Sequence, residues 1–256
     1  MFRILRIAVL LLILVTVAQE AWLARSRAVS WKDSILVALY PINGDGSDAA
    51  AGYVRRLQAG SFKGIERFMD EEARRHGLDL KRPVEIVLAP PIVSLPPTPP
   101  RQPNALEAIL WSLKMRWWAG RNDRIDGPKP NVRMFLLYHD PERSPRLPHS
   151  VALARGLIGL ANLFATGAMA AQNNVVIAHE MLHALGATDK YDLATNLPSF
   201  PDGYADPERS PRHPQDYAEL MAGRVPVSET EAEIPDNLEQ TLIGAATAAE
   251  INWAGR

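Results

Sequence analysis

The chain has 256 residues, 28 lysines and arginines against 29 aspartates and glutamates, and no cysteine. A balanced charge gives no field that favours nucleic acid, and the few basic clusters are short enough to be solvated surface, so no nucleic-acid partner is expected. The lack of cysteine excludes disulfides, thiolate metal ligands, a cysteine nucleophile and latency through a thiol held on a metal, which leaves packing to stabilise the fold.

Arg3 and Arg6 precede an apolar run from Ile7 to Ala18 that ends at Gln19 and Glu20. A charged start before a short apolar middle is the pattern of an export signal, with Thr16 and Ala18 as small residues before a cut. Ala21, Trp22 and Leu23 prolong the apolar character, which suits an uncleaved anchor with Trp22 at the interface. Both readings keep the arginines inside and carry the rest of the chain across, so the expected location is extracytoplasmic, secreted or membrane-anchored. A buried N-terminal helix is the plainer alternative, but the run leaves it no polar face. Residues 1–30 are thus read as signal or anchor, and 31–256 as one domain, a length that supports one substantial core.

Ser34–Tyr40 reads as the first strand, ended by Pro41 and the turn-rich NGDGS. Helical spacing of Val54, Leu57, Phe62, Ile65, Phe68 and Met69 predicts a helical stretch from Ala49 to about His76. Gly60 and Gly64 permit a break within it, and Gly77 closes it. Val84–Leu88 is a second strand, and the seven prolines of 89–103 predict an extended surface loop. Asn104 can cap a helix through about Ala119, with Leu106, Ile109, Leu110, Leu113 and Trp117 on its buried side. Val132–Tyr138 is a third strand, and His149–Phe164 an edge strand.

Asn173 or Asn174 caps the next helix, which Gly186 ends. Residues 187–235 are loop-rich, and Asn237–Trp253 reads as a closing helix with Leu238, Leu242 and Ile243 on its apolar side. Together these elements predict an α+β domain with a mixed sheet, its first part α/β-like. An upper subdomain, 31–186, holds the sheet and the motif helix, and 187–256 forms the lower subdomain. The heptapeptide DPERSPR occurs twice, at Asp140–Arg146 and Asp206–Arg212. It is too short for a structural repeat, and both copies suit surface turns.

His179-Glu180-Met181-Leu182-His183 is the H-E-x-x-H pattern, whose chemistry depends on its lying in a helix. Val175, Ala178, Leu182 and Leu185 share one face of a 3.6-residue helix and can pack against a sheet. The two histidines then stack one turn apart, where their imidazoles can converge on one tetrahedral zinc ion. Glu180 projects beside them, placed to move a proton without taking a coordination position. The plain alternative is an ordinary core helix that carries these residues by coincidence.

The string continues with Gly186 and Asp189, giving H-E-x-x-H-x-x-G-x-x-D. Glycine suits an abrupt helix exit because it tolerates positive φ. In this the chain resembles the metzincin zinc peptidases, whose usual third ligand is histidine, and especially the minority with aspartate there, such as the snapalysin-like peptidases. The DKYD of 189–192 is also similar to the DEYD after the motif in immune inhibitor A-like peptidases. The resemblance implies a metzincin-like sheet, one catalytic Zn2+ on His179, His183 and Asp189, and Glu180 as base. Asp192 is the competing third ligand, and a helix-capping role for Asp189 is the structural alternative.

Metzincins share a methionine in a tight turn beneath the metal, and Glu219-Leu220-Met221-Ala222-Gly223 places Met221 in that role, against a plain core methionine. The chain departs from some members in having no tyrosine two residues after Met221, and Tyr191, Tyr204 and Tyr217 are the candidates to substitute. The implied function is a zinc-dependent endopeptidase acting on peptide or protein substrates laid along a sheet edge, with an optimum at neutral pH or above. The rivals are a non-catalytic zinc-binding envelope protein and a zinc hydrolase of a non-peptide amide. Acids between Asp189 and Asp216 could bind calcium, but they lack an EF-hand spacing and read as solvated surface.

Overall fold

The computed structural model describes residues 23–100 and 104–253, together with Arg6, Thr16 and Gln19. The export or anchor segment expected at residues 7–18 therefore lies outside the described residues except for Thr16, as does Trp22. No helix among the described residues is long and apolar enough to cross a membrane.

The fold is α+β, as expected. Its centre is a five-stranded mixed sheet of β1 (Ile35–Asn43), β2 (Val84–Leu88), β3 (Val132–His139), β4 (Val151–Leu153) and β5 (Ile158–Phe164). The order across it is β2-β1-β3-β5-β4, parallel throughout except for the antiparallel β4 at one edge. The inner strands are covered on both faces, which is why they read as near-continuous apolar runs. Val37, Leu39, Met134, Leu136, Ala161 and Leu163 turn to one side. There they meet α1 (Asp48–Arg56), α2 (Lys63–Arg75) and α4 (Ala170–Leu185). Ala38, Tyr40, Phe135, Leu137 and Leu160 turn to the other side, where α3 (Ala105–Asn122) packs.

Local chemistry accounts for most boundaries. Ser47 caps α1 by accepting from Ala50 N at 3.1 Å. Asn104 and Glu107 form a reciprocal capping box at the start of α3. Gly77 closes the α2 turn at φ 76°. β1 runs three residues past the expected end at Tyr40. Pro41 is tolerated because β2 has already stopped at Leu88, level with Leu39, and the Pro41 carbonyl still accepts from Ile92 N at 2.9 Å.

Four expectations are corrected. The apolar residues expected on the buried side of α3 (Leu106, Ile109, Leu110, Leu113 and Trp117) are all exposed, and Met115, Trp118 and Ala119 are buried instead. This helix is apolar on two opposite faces, and periodicity cannot tell which one meets the sheet. His149–Phe164 is a hairpin rather than one edge strand: Val151–Leu153 forms the edge and Ile158–Phe164 an inner parallel strand. The motif helix starts at Ala170, before either asparagine. Asn173 lies inside it, its side chain accepting from Phe164 N at 3.1 Å and donating to Phe164 O at 2.9 Å, which ties α4 to the end of β5.

The closing helix is only Ala245–Glu250, called α5. Asn237 caps a 3-10 turn at Leu238–Gln240. Thr241–Leu242 pairs in parallel with Ala218–Glu219, so that backbone is not available to a helix. Both DPERSPR copies fold into the same kind of turn, in which the first aspartate's carbonyl accepts from the arginine three residues on, Asp140 from Arg143 and Asp206 from Arg209.

Candidate metal centre

α4 presents one face to the core through Val175, Ala178, Leu182 and Leu185, all buried. His179 and His183 sit one turn apart, their rings at 85° with centroids 4.6 Å apart. At the end of the helix Gly186 adopts φ 115°, and its N–H donates to the Leu182 and His183 carbonyls. The chain turns back there, as the glycine predicted, and brings Asp189 onto the histidines. Asp189 Oδ1 lies 3.2 Å from His179 Nε2 and 3.0 Å from His183 Nε2.

Proton positions follow from the partners. His179 Nδ1 faces the Leu220 carbonyl at 2.9 Å, and His183 Nδ1 faces the Ala187 carbonyl at 2.8 Å. A carbonyl only accepts, so both Nδ1 atoms carry protons, and in the neutral rings both Nε2 atoms present lone pairs. Three lone-pair atoms around one point repel unless a cation lies among them. His183 is accordingly held above its ordinary pKa: burial opposes this, but the hydrogen bonds to Asp189 and Ala187 prevail. Burial pushes the Asp189 carboxyl up, yet the hydrogen bonds and charges of both histidines hold it far below the usual carboxylate range.

These residues fit a zinc ion. Tetrahedral bonds of about 2.0 to 2.1 Å hold ligand atoms roughly 3.3 Å apart, close to the separations seen. Glu180 is buried, and one of its carboxylate oxygens has no hydrogen-bond partner among the protein groups. Such an orphan is costly unless a bound group supplies a proton. Burial raises the Glu180 pKa against the pull of the two imidazoles. His179, Glu180 and His183 offer ligand atoms within 4.8 Å of one another. Asp189 is outside that trio, but its Oδ1 touches both imidazole Nε2 atoms.

The rival Asp192 is turned into its own loop, where one oxygen accepts from Ala194 N, Thr195 N and Thr195 Oγ1. Met221 is fully buried in the turn after Glu219, whose carbonyl accepts from Ala222 N and Gly223 N, with Gly223 at φ 69°. The Leu220 carbonyl of this turn orients His179, and the Met221 carbonyl receives Lys190 N at 3.0 Å. Of the three tyrosines, Tyr191 is the one beside the cluster: it lines the same cavity as His179, and burial together with the nearby Asp189 and Glu180 carboxylates raises its pKa. Tyr204 pairs with His213 and Tyr217 is exposed.

Sequence reasoning missed two supports. Glu219, fully buried, accepts from Thr247 Oγ1, Gly244 N and Ala222 N, joining the methionine turn to α5. Lys190, also buried, donates from Nζ to Thr188 and to Glu250 on α5, clamping the loop that carries Asp189. The available signals were an acid inside an apolar segment and a lysine beside Asp189. Next to His179 a cavity of about 230 Å³ opens between Val175, Val176, Leu220, Ala222 and Ile234, with Arg224 at its wall.

The fold and site define an α+β protein in which two histidines one helical turn apart meet an aspartate from the loop that follows. No model of a known protein family matches the chain, and no curated protein matches it. Among solved structures it is similar to wild-type OgpA from Akkermansia muciniphila, at 13% identity and a TM-score of 0.34, covering 85% of this chain and 59% of that one. The chain thus spans less than two thirds of that chain.

Proposed function

We propose that the protein is a zinc-dependent endopeptidase of the metzincin type, with His179, His183 and Asp189 holding the ion. One observation carries the reading: two imidazole nitrogens each lie within 3.2 Å of the same carboxylate oxygen, beside a buried glutamate that has an unpartnered oxygen. When bound, zinc supplies Lewis acidity that acidifies water and polarises a carbonyl. The raised pKa of Glu180 suits a group that takes a proton from the attacking water and gives it to the amine leaving the broken C–N bond. Leu220 and Ala187 hold the imidazoles in the ligating tautomer.

Further support comes from the surroundings. β4 is the outermost strand of the sheet, so its free edge can pair with an extended peptide. The apolar cavity beside His179 suits an uncharged side chain of that peptide.

The test is zinc content and casein cleavage for wild type and Glu180→Gln. Stoichiometric zinc in both, with cleavage only by wild type, is expected. Zinc in both without cleavage by either favours a binding role or a narrow amide substrate. Absence of zinc from both removes the metal reading.

A further inference from the structure

α3 carries a second apolar face that the fold does not use. Met115, Trp118 and Ala119 pack on the sheet, while Leu106, Ile109, Leu110, Leu113 and Trp117 point the other way, each between 46% and 66% exposed. Their spacing of 3, 4, 7 and 11 residues from Leu106 makes one continuous stripe along the helix. Among the described residues, α3 is the one helix on its side of the sheet, so no neighbouring helix covers the stripe. The proline-rich loop is strapped to the same helix by Trp111 Nε1 to Pro97 O and Ser94 Oγ to Asn122 Oδ1, both 2.9 Å, and it adds the exposed Val93 and Leu95. Contiguous apolar surface of this kind marks an interaction site on a soluble domain.

We infer that this face docks on a lipid bilayer containing anionic lipid, with α3 lying in the plane of the interface. Charge identifies the occupant. Exposed Lys114 and Arg121 flank the stripe, and the Arg121 guanidinium sits 5.1 Å over the Trp117 ring. The one acid within α3, Glu107, is engaged in the N-terminal cap. An apolar stripe with a basic flank and a tryptophan at its margin is the composition of an interfacial helix. A second copy fits less well, because a two-fold contact would set basic flank against basic flank. The chain also holds the apolar run of 7–18 behind Arg3 and Arg6, independently suited to a bilayer. α3 and α4 lie on opposite faces of the sheet, so docking through α3 leaves the metal centre open to solvent.

The lack of native cysteine allows a direct test on the full chain. Leu113→Cys, and Glu71→Cys on α2 as control, are labelled with an environment-sensitive fluorophore and mixed with phosphatidylcholine/phosphatidylglycerol vesicles containing spin-labelled lipid. The label at 113 is expected to be quenched by the lipid and shielded from aqueous iodide, while the label at 71 stays iodide-accessible. Adding Lys114→Glu and Arg121→Glu lowers the docked-to-undocked ratio by at least about tenfold. The proposal is overturned if both labels remain equally open to iodide with vesicles present. Shielding at 113 that needs no lipid and grows with protein concentration also overturns it, in favour of a second copy. Insensitivity to the charge reversals overturns the anionic-lipid assignment.

Discussion

In the proposed function, Glu180 and its two flanking histidines divide the work between moving a proton and holding a cation. Glu180→Gln keeps shape and burial but removes the base, so zinc content is expected to stay at the wild-type level while peptide hydrolysis falls about a hundred- to ten-thousandfold. Steady-state cleavage alongside metal analysis checks this. The two aspartates separate just as cleanly. Asp189 contacts both imidazoles, whereas Asp192 serves only its own turn. Asp189→Ala should weaken zinc binding by more than the roughly 10- to 100-fold typical of an outer-sphere partner, and Asp192→Ala should leave it unchanged, as read by chelator competition.

At the scale of elements, the loop after Gly186 is held by contacts distant in sequence. Glu250 on α5 accepts from Lys190 Nζ, Thr188 N and Thr188 Oγ1. Burial pushes the Glu250 carboxyl up, but these hydrogen bonds outweigh it and hold the pKa below the ordinary 4.5. A depressed carboxyl contributes stability above its unfolded value and loses it as pH falls through the folded one. The wild-type melting temperature should therefore exceed that of Glu250→Gln at neutral pH, and the gap should close as pH drops below about 4.5. Thermal melts of both proteins across that range decide it. A gap that is the same at every pH would remove Glu250 from the clamp.

At the scale of the molecule, the two ends of the described domain close on each other. Trp31 Nε1 donates to the Ile251 carbonyl at 2.7 Å and Asn252 donates to the Val29 carbonyl. The Trp31 and Trp253 rings meet edge to face at 5.4 Å, with Trp253 fully buried. Trp253→Ala is expected to cost about 3 to 5 kcal/mol, visible as a lower midpoint in denaturant. Because α5 precedes Trp253 and anchors both Lys190 and Glu219, zinc affinity should fall along with stability.

Much of this was legible in the residues themselves. The i, i+4 histidines, the glycine at the helix exit, the cap at Asn104 and strand Val84–Leu88 depend on φ preferences and side-chain spacing within a turn or two, which a sequence carries directly. Other features depend on partners far along the chain. Which apolar face of α3 is buried depends on where the sheet lies, and both faces satisfy the same periodicity. Residues 241–242 become a strand because Ala218–Glu219 offers them a backbone partner. Asp189 rather than Asp192 meets the histidines because the loop between is pinned to α5 and to the methionine turn. Short-range geometry was therefore determined by the sequence alone. The choice among equivalent faces, backbone partners and aspartates was decided by tertiary structure, because it is made by groups tens of residues apart that only packing brings into contact.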